Sequence, residues 1–377
     1  MNKIKKWVDS FLKFLLRTRS ERSLIKNIDK KIIELKRGNR FHFYPITENP
    51  PLIAKYSFFT RKDRKWLDLF FSVYGKPDRG FIPLPVYYNY IEPRLNNGLL
   101  TTAIKEKNFY DKFLRNIKTP PTIIRCINGC YYDINYKYIE LDDRLLYQQL
   151  GSIPTVIIKP SVESGSGRSI LRFTRVNDHF FSGNEKLTTD FLNNYGVDFV
   201  MQVLIRQHEF FRQFNPESNN TIRVLIYRSV NNDQISVLHT LLRIGKTGSF
   251  LDHDNLGGVA IAINEQGNLK DYAFDIDGTK YESFNRITFK QVAEVPFIQE
   301  IYKSSINVAN QVHYARLLAM DFTVDQTGEV LLIEINCKGN GISQYQYSNG
   351  SLFKEFTEEI LEYCNNCTTR MHVVQTK

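Results

Sequence analysis

The chain has 377 residues, is 42% hydrophobic and carries a net charge of +10. That length holds two or three structural units with a sizeable core, and the composition excludes a disordered or fibrous chain. Five cysteines, an odd count in a chain this size, do not read as a disulfide framework and point to a reducing, cytoplasmic compartment.

The charge is uneven. Residues 1–40 hold 13 Lys and Arg against 4 Asp and Glu, which leaves the remainder near neutral. The basic character therefore belongs to an N-terminal arm, not to a nucleic-acid-binding face. In that arm Ile4, Trp7, Val8, Phe11, Leu12 and Leu15 fall at helical spacing among Lys3, Lys5, Lys6, Lys13 and Arg17. Residues 1–18 fit a helix lying on an anionic membrane surface, or equally an ordinary helix packed on the domain. Lys13 breaks the apolar run, so a signal peptide is not expected. No stretch reaches the ~20 apolar residues of a membrane span.

Residues 20–37 continue as a charged helical segment that Gly38-Asn39-Arg40 ends. A helix is predicted from Ala54 to Tyr74, with Trp66, Leu69, Phe70 and Val73 at its spacing, before the turn cluster Lys76 to Gly80. Phe81 to Pro93 reads as irregular. A further helix is predicted over Asn108–Ile117, stopped by Thr119-Pro120-Pro121, then strands over Thr122–Cys126 and Cys130–Ile134 about Asn128-Gly129. Leu141–Leu150 reads as helix.

Thr155–Pro160 is a predicted strand, followed by Ser164-Gly165-Ser166-Gly167-Arg168 and the strand Ser169–Phe173. A Gly- and Ser-rich tip exposes backbone N–H groups that can wrap a phosphate, and Lys159 can add a charge to it. On these residues alone a plain surface turn is the simpler alternative. Phe199–Ile205, Thr221–Tyr227 and Ile235–Ile244 are predicted strands, the last two with Arg223 and Arg243 inside apolar runs. Arginine is rarely buried without a partner. The two share an anionic target, or pair with carboxylates of the chain itself. A long helix over Gln299–Leu318 and a last one over Leu352–Tyr363 complete an α+β pattern.

Between those helices, Met320–Asp325 and Val330–Asn336 flank Thr327-Gly328 as a β-hairpin. The second run reads as a buried strand, yet it ends in Glu334 and Asn336, two apart and so on one face. Asp321 can face the same way across the hairpin. Two carboxylates and an amide oxygen suit Mg²⁺; the bland alternative is an edge strand with solvated polar residues. Cys364-Asn365-Asn366-Cys367 has metal or redox spacing but lacks a second ligand pair.

From about Ile91 to Tyr363 these pieces, in this order, resemble the ATP-grasp superfamily, and within it the sugar-transfer associated ATP-grasp family. The motifs are Asp111-Lys112, Ile158-Lys159-Pro160 with Ser164 to Gly167, Asn220 to Arg223, Leu242 to Gly245, Asp254-Asn255 with Gly257-Gly258, and Asp321 with Glu334 and Asn336. The nucleotide site is also similar to those of D-alanine–D-alanine ligases and tubulin tyrosine ligases. The resemblance implies an ATP-grasp fold, two α+β subdomains gripping ATP. The expected layout is a basic arm over 1–40, a pre-ATP-grasp region over 41–108, a linker and lid subdomain over 109–206 and a C-terminal subdomain with the metal site over 207–370.

The resemblance further implies roles. Lys112 and Lys159 would hold the ATP phosphates under a lid of Ser164, Gly165, Ser166 and Gly167. Gln202, Val203, Leu204 and Ile205 would form the adenine hinge, and Glu209 would meet the ribose. Asp321, Glu334 and Asn336 would bind two Mg²⁺ ions. Arg223 and Arg243 would hold the transferred phosphoryl group. D-alanine ligases carry an arginine where this chain has Ala319, which passes transition-state charge to Arg223, Arg243 or Lys338. Asp254 and Asn255 would face the acceptor, with His253 as a proton acceptor. The implied reaction joins a carboxylate to an amine through an acylphosphate, with a uronic acid in capsule or surface polysaccharide synthesis as the leading substrate. The basic arm would then sit at the inner face of the cytoplasmic membrane. The alternatives are a kinase acting on a sugar or other hydroxyl, and a non-catalytic nucleotide-binding protein.

Overall fold

The computed structural model describes residues 28–162, 169–252 and 256–367. The basic arm's residues 1–18, the loop Ser164 to Arg168, and His253, Asp254 and Asn255 lie outside them. The chain divides into two compact units: residues up to 95 with 276–279 and 341 onward, and residues 96–275 with 280–340. The expected border between 206 and 207 falls inside the second unit.

The first unit is mostly helical. Residues 28–37 form a helix, and Arg64–Tyr74 forms another that buries Trp66, Leu67, Leu69 and Phe70. Its end is a left-handed glycine, Gly75, whose N–H returns to Phe71 O. The predicted start at Ala54 is too early, because residues 52–63 form only 3₁₀ turns. Phe81 to Pro93, expected to be irregular, winds into short turns over Leu84–Val86, Tyr87–Ile91 and Glu92–Leu95. The helix Ser343–Asn349 is buried despite its polar sequence. Gln346 explains part of this: its amide accepts from Ile82 N–H at 2.7 Å and donates to Ile82 O at 3.1 Å. Thr357–Asn366 closes the unit.

The second unit carries two seven-stranded antiparallel sheets. The first contains β1 (Thr122–Ile127), β2 (Cys130–Tyr132), β3 (Thr155–Pro160), β4 (Leu171–Val176), β5 (His179–Ser182), β6 (Glu185–Lys186) and β7 (Phe199–Val203). Their order is β2-β1-β7-β3-β4-β5-β6. Asn128 and Gly129 both take positive φ, as a tight hairpin turn between β1 and β2 demands. The helix Asp143–Leu150 packs Leu146 and Leu150 into this sheet's core, capped by Asp142.

The second sheet contains β8 (Ile222–Arg228), β9 (Ile235–Ile244), β10 (Val259–Ile263), β11 (Leu269–Phe274) and β12 (Lys280–Tyr281). A two-strand hairpin of β13 (Ser283–Phe284) and β14 (Ile287–Thr288) follows, and β15 (Leu317–Val324) and β16 (Val330–Asn336) return to the sheet. Its order is β12-β11-β10-β9-β8-β15-β16. The long helix spans Ile298–Gln311, shorter than its apolar pattern predicts, because Leu317 and Leu318 are already paired to β8.

β16 is an edge strand, not the fully buried strand its apolar run predicts. Its outer edge is covered by chain: Ile335 N–H donates to Tyr110 Oη at 3.0 Å and Leu332 N–H to Lys118 O at 2.8 Å. This also shortens the helix predicted over 108–117. Only Tyr110–Phe113 is α-helical, after a 3₁₀ turn over Lys107–Phe109. Beyond Leu114 the backbone runs on towards the contact that Lys118 makes with β16.

Candidate active site

The site arises from strand alternation. Leu318, Met320 and Phe322 of β15 enter an apolar core with Val224, Leu242 and the helical residues Ile301 and Val308. Ala319 and Asp321 therefore project from the opposite face. Directly paired residues share a face: Asp321 stands opposite Glu334 on β16 and opposite Arg223 on β8, and Ala319 stands opposite Asn336. The register steps between Asp321 and Phe322, leaving Ile333 as the extra residue of a bulge. Asp321, Glu334, Asn336 and Arg223 thus line one face of the sheet.

Asp321 is 3% exposed. Arg223 grips it as a fork, with Nε to Oδ1 at 2.7 Å and Nη2 to Oδ2 at 2.6 Å. Arg243 Nη1 lies 3.6 Å from Oδ2. A carboxylate this deep needs such compensation. Both arginines are thus partnered within the chain, as one of the two sequence alternatives has it. Asn336 Nδ2 sits 3.5 Å from Asp321 Oδ2, too long for a strong bond.

Glu334 is met by a residue the sequence did not single out. Lys107 is buried and places Nζ 3.0 Å from Glu334 Oε1. The turn that carries it is fastened to the end of β3: Lys107 N–H donates to Ser161 O at 2.9 Å, and Ser161 Oγ donates to Glu106 at 3.0 Å. Glu106 also caps the turn through Asn108 N–H. Two residues before Ser161 stands Lys159, also buried. Its amine is pushed down to about 7, first by burial and then by Lys107, with Glu334 opposing. Tyr110, next to this cluster, is held well above its ordinary value by burial and by Glu334.

Lys112 stands elsewhere. It is exposed, with Nζ 3.6 Å from the centroid of the Tyr136 ring. Its neighbour Asp111 pairs with the guanidinium of Arg125, a residue 1% exposed that also donates to Asn108 O at 2.8 Å. The Asp111-Lys112 pair is thus engaged with Arg125 and Tyr136, and Lys107 is the lysine at Glu334. No local pattern separates the two lysines; the contact with Ser161 does.

The stretch expected to form the hinge, Gln202 to Ile205, closes β7 and the turn after it. Gln202 is buried and spends its amide on Pro120 O at 3.1 Å and Thr122 Oγ1 at 3.2 Å. Val203 N–H donates to Pro121 O and Leu204 N–H to Thr155 O. Among the described residues Ile205 N–H has no backbone acceptor. Glu209 is exposed at the first position of a one-turn helix. That segment is tied to the far end of β15, His208 N–H reaching Val324 O at 2.9 Å. Lys338 is exposed just past β16 and makes no ion pair among the described residues.

A second residue missed by sequence is Asp252. It accepts from Thr221 N–H at 3.0 Å and from Thr221 Oγ1. Burial raises its carboxyl, Arg243 opposes this, and Asp321 adds to it.

Two carboxylates and one amide oxygen on a common face fit the oxygen preference of Mg²⁺, with phosphate oxygens left to complete a shell. Among the described residues no cluster of three His, Cys, Asp or Glu side chains exists. Asp321, Glu334 and Asn336 are oxygen-bearing side chains that β15 and β16 place on this face. None of the five cysteines is in a disulfide.

A family described as sugar-transfer associated ATP-grasp matches residues 88–361, well over half of the chain. No curated protein matches the sequence. Among solved structures, N5-carboxyaminoimidazole synthetase from Staphylococcus aureus in complex with ADP is similar at 11% identity and a TM-score of 0.39, covering 69% of this chain and 52% of its own. The ATP-grasp ligase PsnB with precursor peptide PsnA2 and AMPPNP is similar at 14% identity and 0.40, covering 72% and 62%. D-alanyl-alanine synthetase A from Vibrio cholerae O1 is similar at 12% and 0.37, covering 69% and 63%. The chain thus spans less than two thirds of the length of each of these proteins. No helix among the described residues is long and apolar enough to cross a membrane.

Proposed function

The chain belongs to the sugar-transfer associated ATP-grasp family, and from that premise we propose that it is an ATP-dependent ligase that joins a carboxylate to an amine through an acylphosphate. The observation that carries the reading is the gathering of Asp321, Glu334, Asn336, Arg223 and Arg243 on one sheet face, with Lys107 paired to Glu334 from a turn fastened to the end of β3 and Lys159 of β3 within its electrostatic reach. Phosphoryl transfer asks chiefly for positioning and charge neutralisation, and this constellation supplies both.

In this reading Lys107 and Lys159 hold the phosphates, with Lys107 taking the part expected of Lys112. Asp321, Glu334 and Asn336 would hold Mg²⁺, which would neutralise phosphate charge. Arg223 orients the Asp321 carboxylate through two bonds. Arg223 and Arg243 together set positive charge where the acid oxygen, the transferred phosphoryl group and the acylphosphate carry negative charge. Ile205 N–H reads the adenine.

For the substrate we take a uronic acid or similar glycan carboxylate with an amino acid or other amine, in capsule or surface polysaccharide synthesis. The family's description supports this, and the basic arm supports a place at an anionic membrane. Deleting residues 1–18 is expected to release the protein from phosphatidylglycerol vesicles in a sedimentation assay while leaving its soluble activity unchanged.

The reaction is tested by incubating the protein with Mg·ATP, D-glucuronate or D-galacturonate, and the proteinogenic amino acids. Phosphate release that needs both a carboxylate and an amine is the expected result. A stable phosphorylated product with ADP and no free phosphate would instead identify a kinase.

A further inference from the structure

We propose that Asp252 is the base that receives the proton of the incoming amine, an inference that rests on the ligase reading above. The residue before β8 fixes it. Thr221 lies two positions from Arg223 and so faces the same side of the strand. Thr221 N–H and Oγ1 both donate to Asp252 Oδ2, while Thr221 O accepts from Arg243 N–H at 2.8 Å. The carboxylate is thereby set at the end of the face that bears Arg223, Arg243 and Asp321.

One oxygen of Asp252 is spent on this clamp. Among the described residues the other, Oδ1, has no partner. The loop that carries the residue is held from below: Asn215 Nδ2 donates to Gly245 O, Lys246 O and Ser249 O at 3.0–3.1 Å. It is held from the other sheet too, since the Arg172 guanidinium of β4 lies 5.4 Å from the Phe250 ring centre. Asp252 is therefore a preorganised carboxylate on a loop that touches β4 and is clamped beside the arginine-lined face.

The charges suit the role. Burial raises the carboxyl, which strengthens it as a base, while Arg243 opposes that shift and favours the ionised form. An ammonium entering this site meets a carboxylate whose Oδ1 has no partner among the described residues. One proton passes from the ammonium nitrogen to Asp252 Oδ1. The freed lone pair forms the C–N bond, the acyl C–O bond breaks, and phosphate leaves with that electron pair. The second nitrogen proton goes to the departing phosphate. His253, expected from the sequence to take this proton, lies outside the described residues.

The test separates the amine step from carboxylate activation. Hydroxylamine is uncharged at neutral pH and traps acylphosphates without a base. Asp252→Asn keeps the shape and an oxygen for Thr221 but loses the basicity. With D-glucuronate or D-galacturonate, Asp252→Asn is expected to form hydroxamate within about threefold of the wild-type rate. With a saturating amino acid it should lose about 100-fold or more in kcat. Thr221→Val, which removes only the hydroxyl of the clamp, should keep both rates within about threefold, since the backbone bond from Thr221 to Asp252 remains. Equal loss of both reactions in Asp252→Asn, or loss of neither, overturns the proposal. Wild-type protein that makes no hydroxamate from any carboxylate overturns the ligase reading itself.

Discussion

Lys107 and Glu334, separated by 227 positions in the chain, form a part-buried ion pair at 3.0 Å. The pair joins the end of β3, through Ser161, to the end of β16. It places a lysine beside the carboxylate proposed to hold Mg²⁺. Lys107→Ala is expected to weaken Mg·ATP binding on the order of 10- to 100-fold, the worth of a charge-assisted bond to phosphate. Lys112→Ala, which removes a cation from an exposed aromatic ring, should change it less than about threefold. Titration calorimetry of the two variants decides between the lysines.

Glu334→Gln retains an oxygen for Lys107 but removes the charge. Turnover should fall at least about 100-fold, because a metal-ligating carboxylate acts on transition-state charge. Folding stability should fall by only about 1 kcal/mol, since Glu334 is partly exposed and Lys107 keeps a bond. ATP consumption and urea unfolding on the same preparation give both quantities.

Lys159 predicts a pH dependence. Its folded value is depressed from 10.5 to about 7, so between these values the unfolded chain binds a proton that the folded one does not. Stability therefore rises with pH from about 7 to about 10.5, and below 7 the folded state carries the full cost of a buried ammonium. Lys159→Met should be more stable than wild type at pH 6.5, by on the order of 4 kcal/mol. The advantage should shrink through pH 9 and vanish above the unfolded value. Urea midpoints across that range check the sign.

Arg125 is 1% exposed and leans on Asp111. Asp111→Ala strands a buried guanidinium and should destabilise the fold by about 3 kcal/mol. Nucleotide affinity of the folded variant should stay near wild type. Thermal unfolding and calorimetry together would show that Asp111 serves the fold.

What was legible in the sequence was local. The hairpin about Thr327-Gly328, the Asn128-Gly129 turn and the strands of Arg223 and Arg243 each announce themselves through alternation, β-branching and turn residues. So does the common face of Glu334 and Asn336, because period two is a property of any strand. Contacts between distant segments were not legible. The helix predicted over 108–117 stops after one turn because Tyr110 and Lys118 cover the open edge of β16, and edge coverage leaves no periodic mark. Gln202 faces Pro120 and Thr122 for the same kind of reason.

The hairpin Met320–Asn336 sums up the division. By itself the sequence determined that Asp321, Glu334 and Asn336 could share a face, since alternation along a strand requires nothing beyond the backbone. Only the tertiary structure decided what meets them: Arg223 and Arg243 on Asp321, and Lys107 on Glu334. A buried charge must find its partner wherever the chain brings one, and that depends on strand order and register, not on neighbours in sequence.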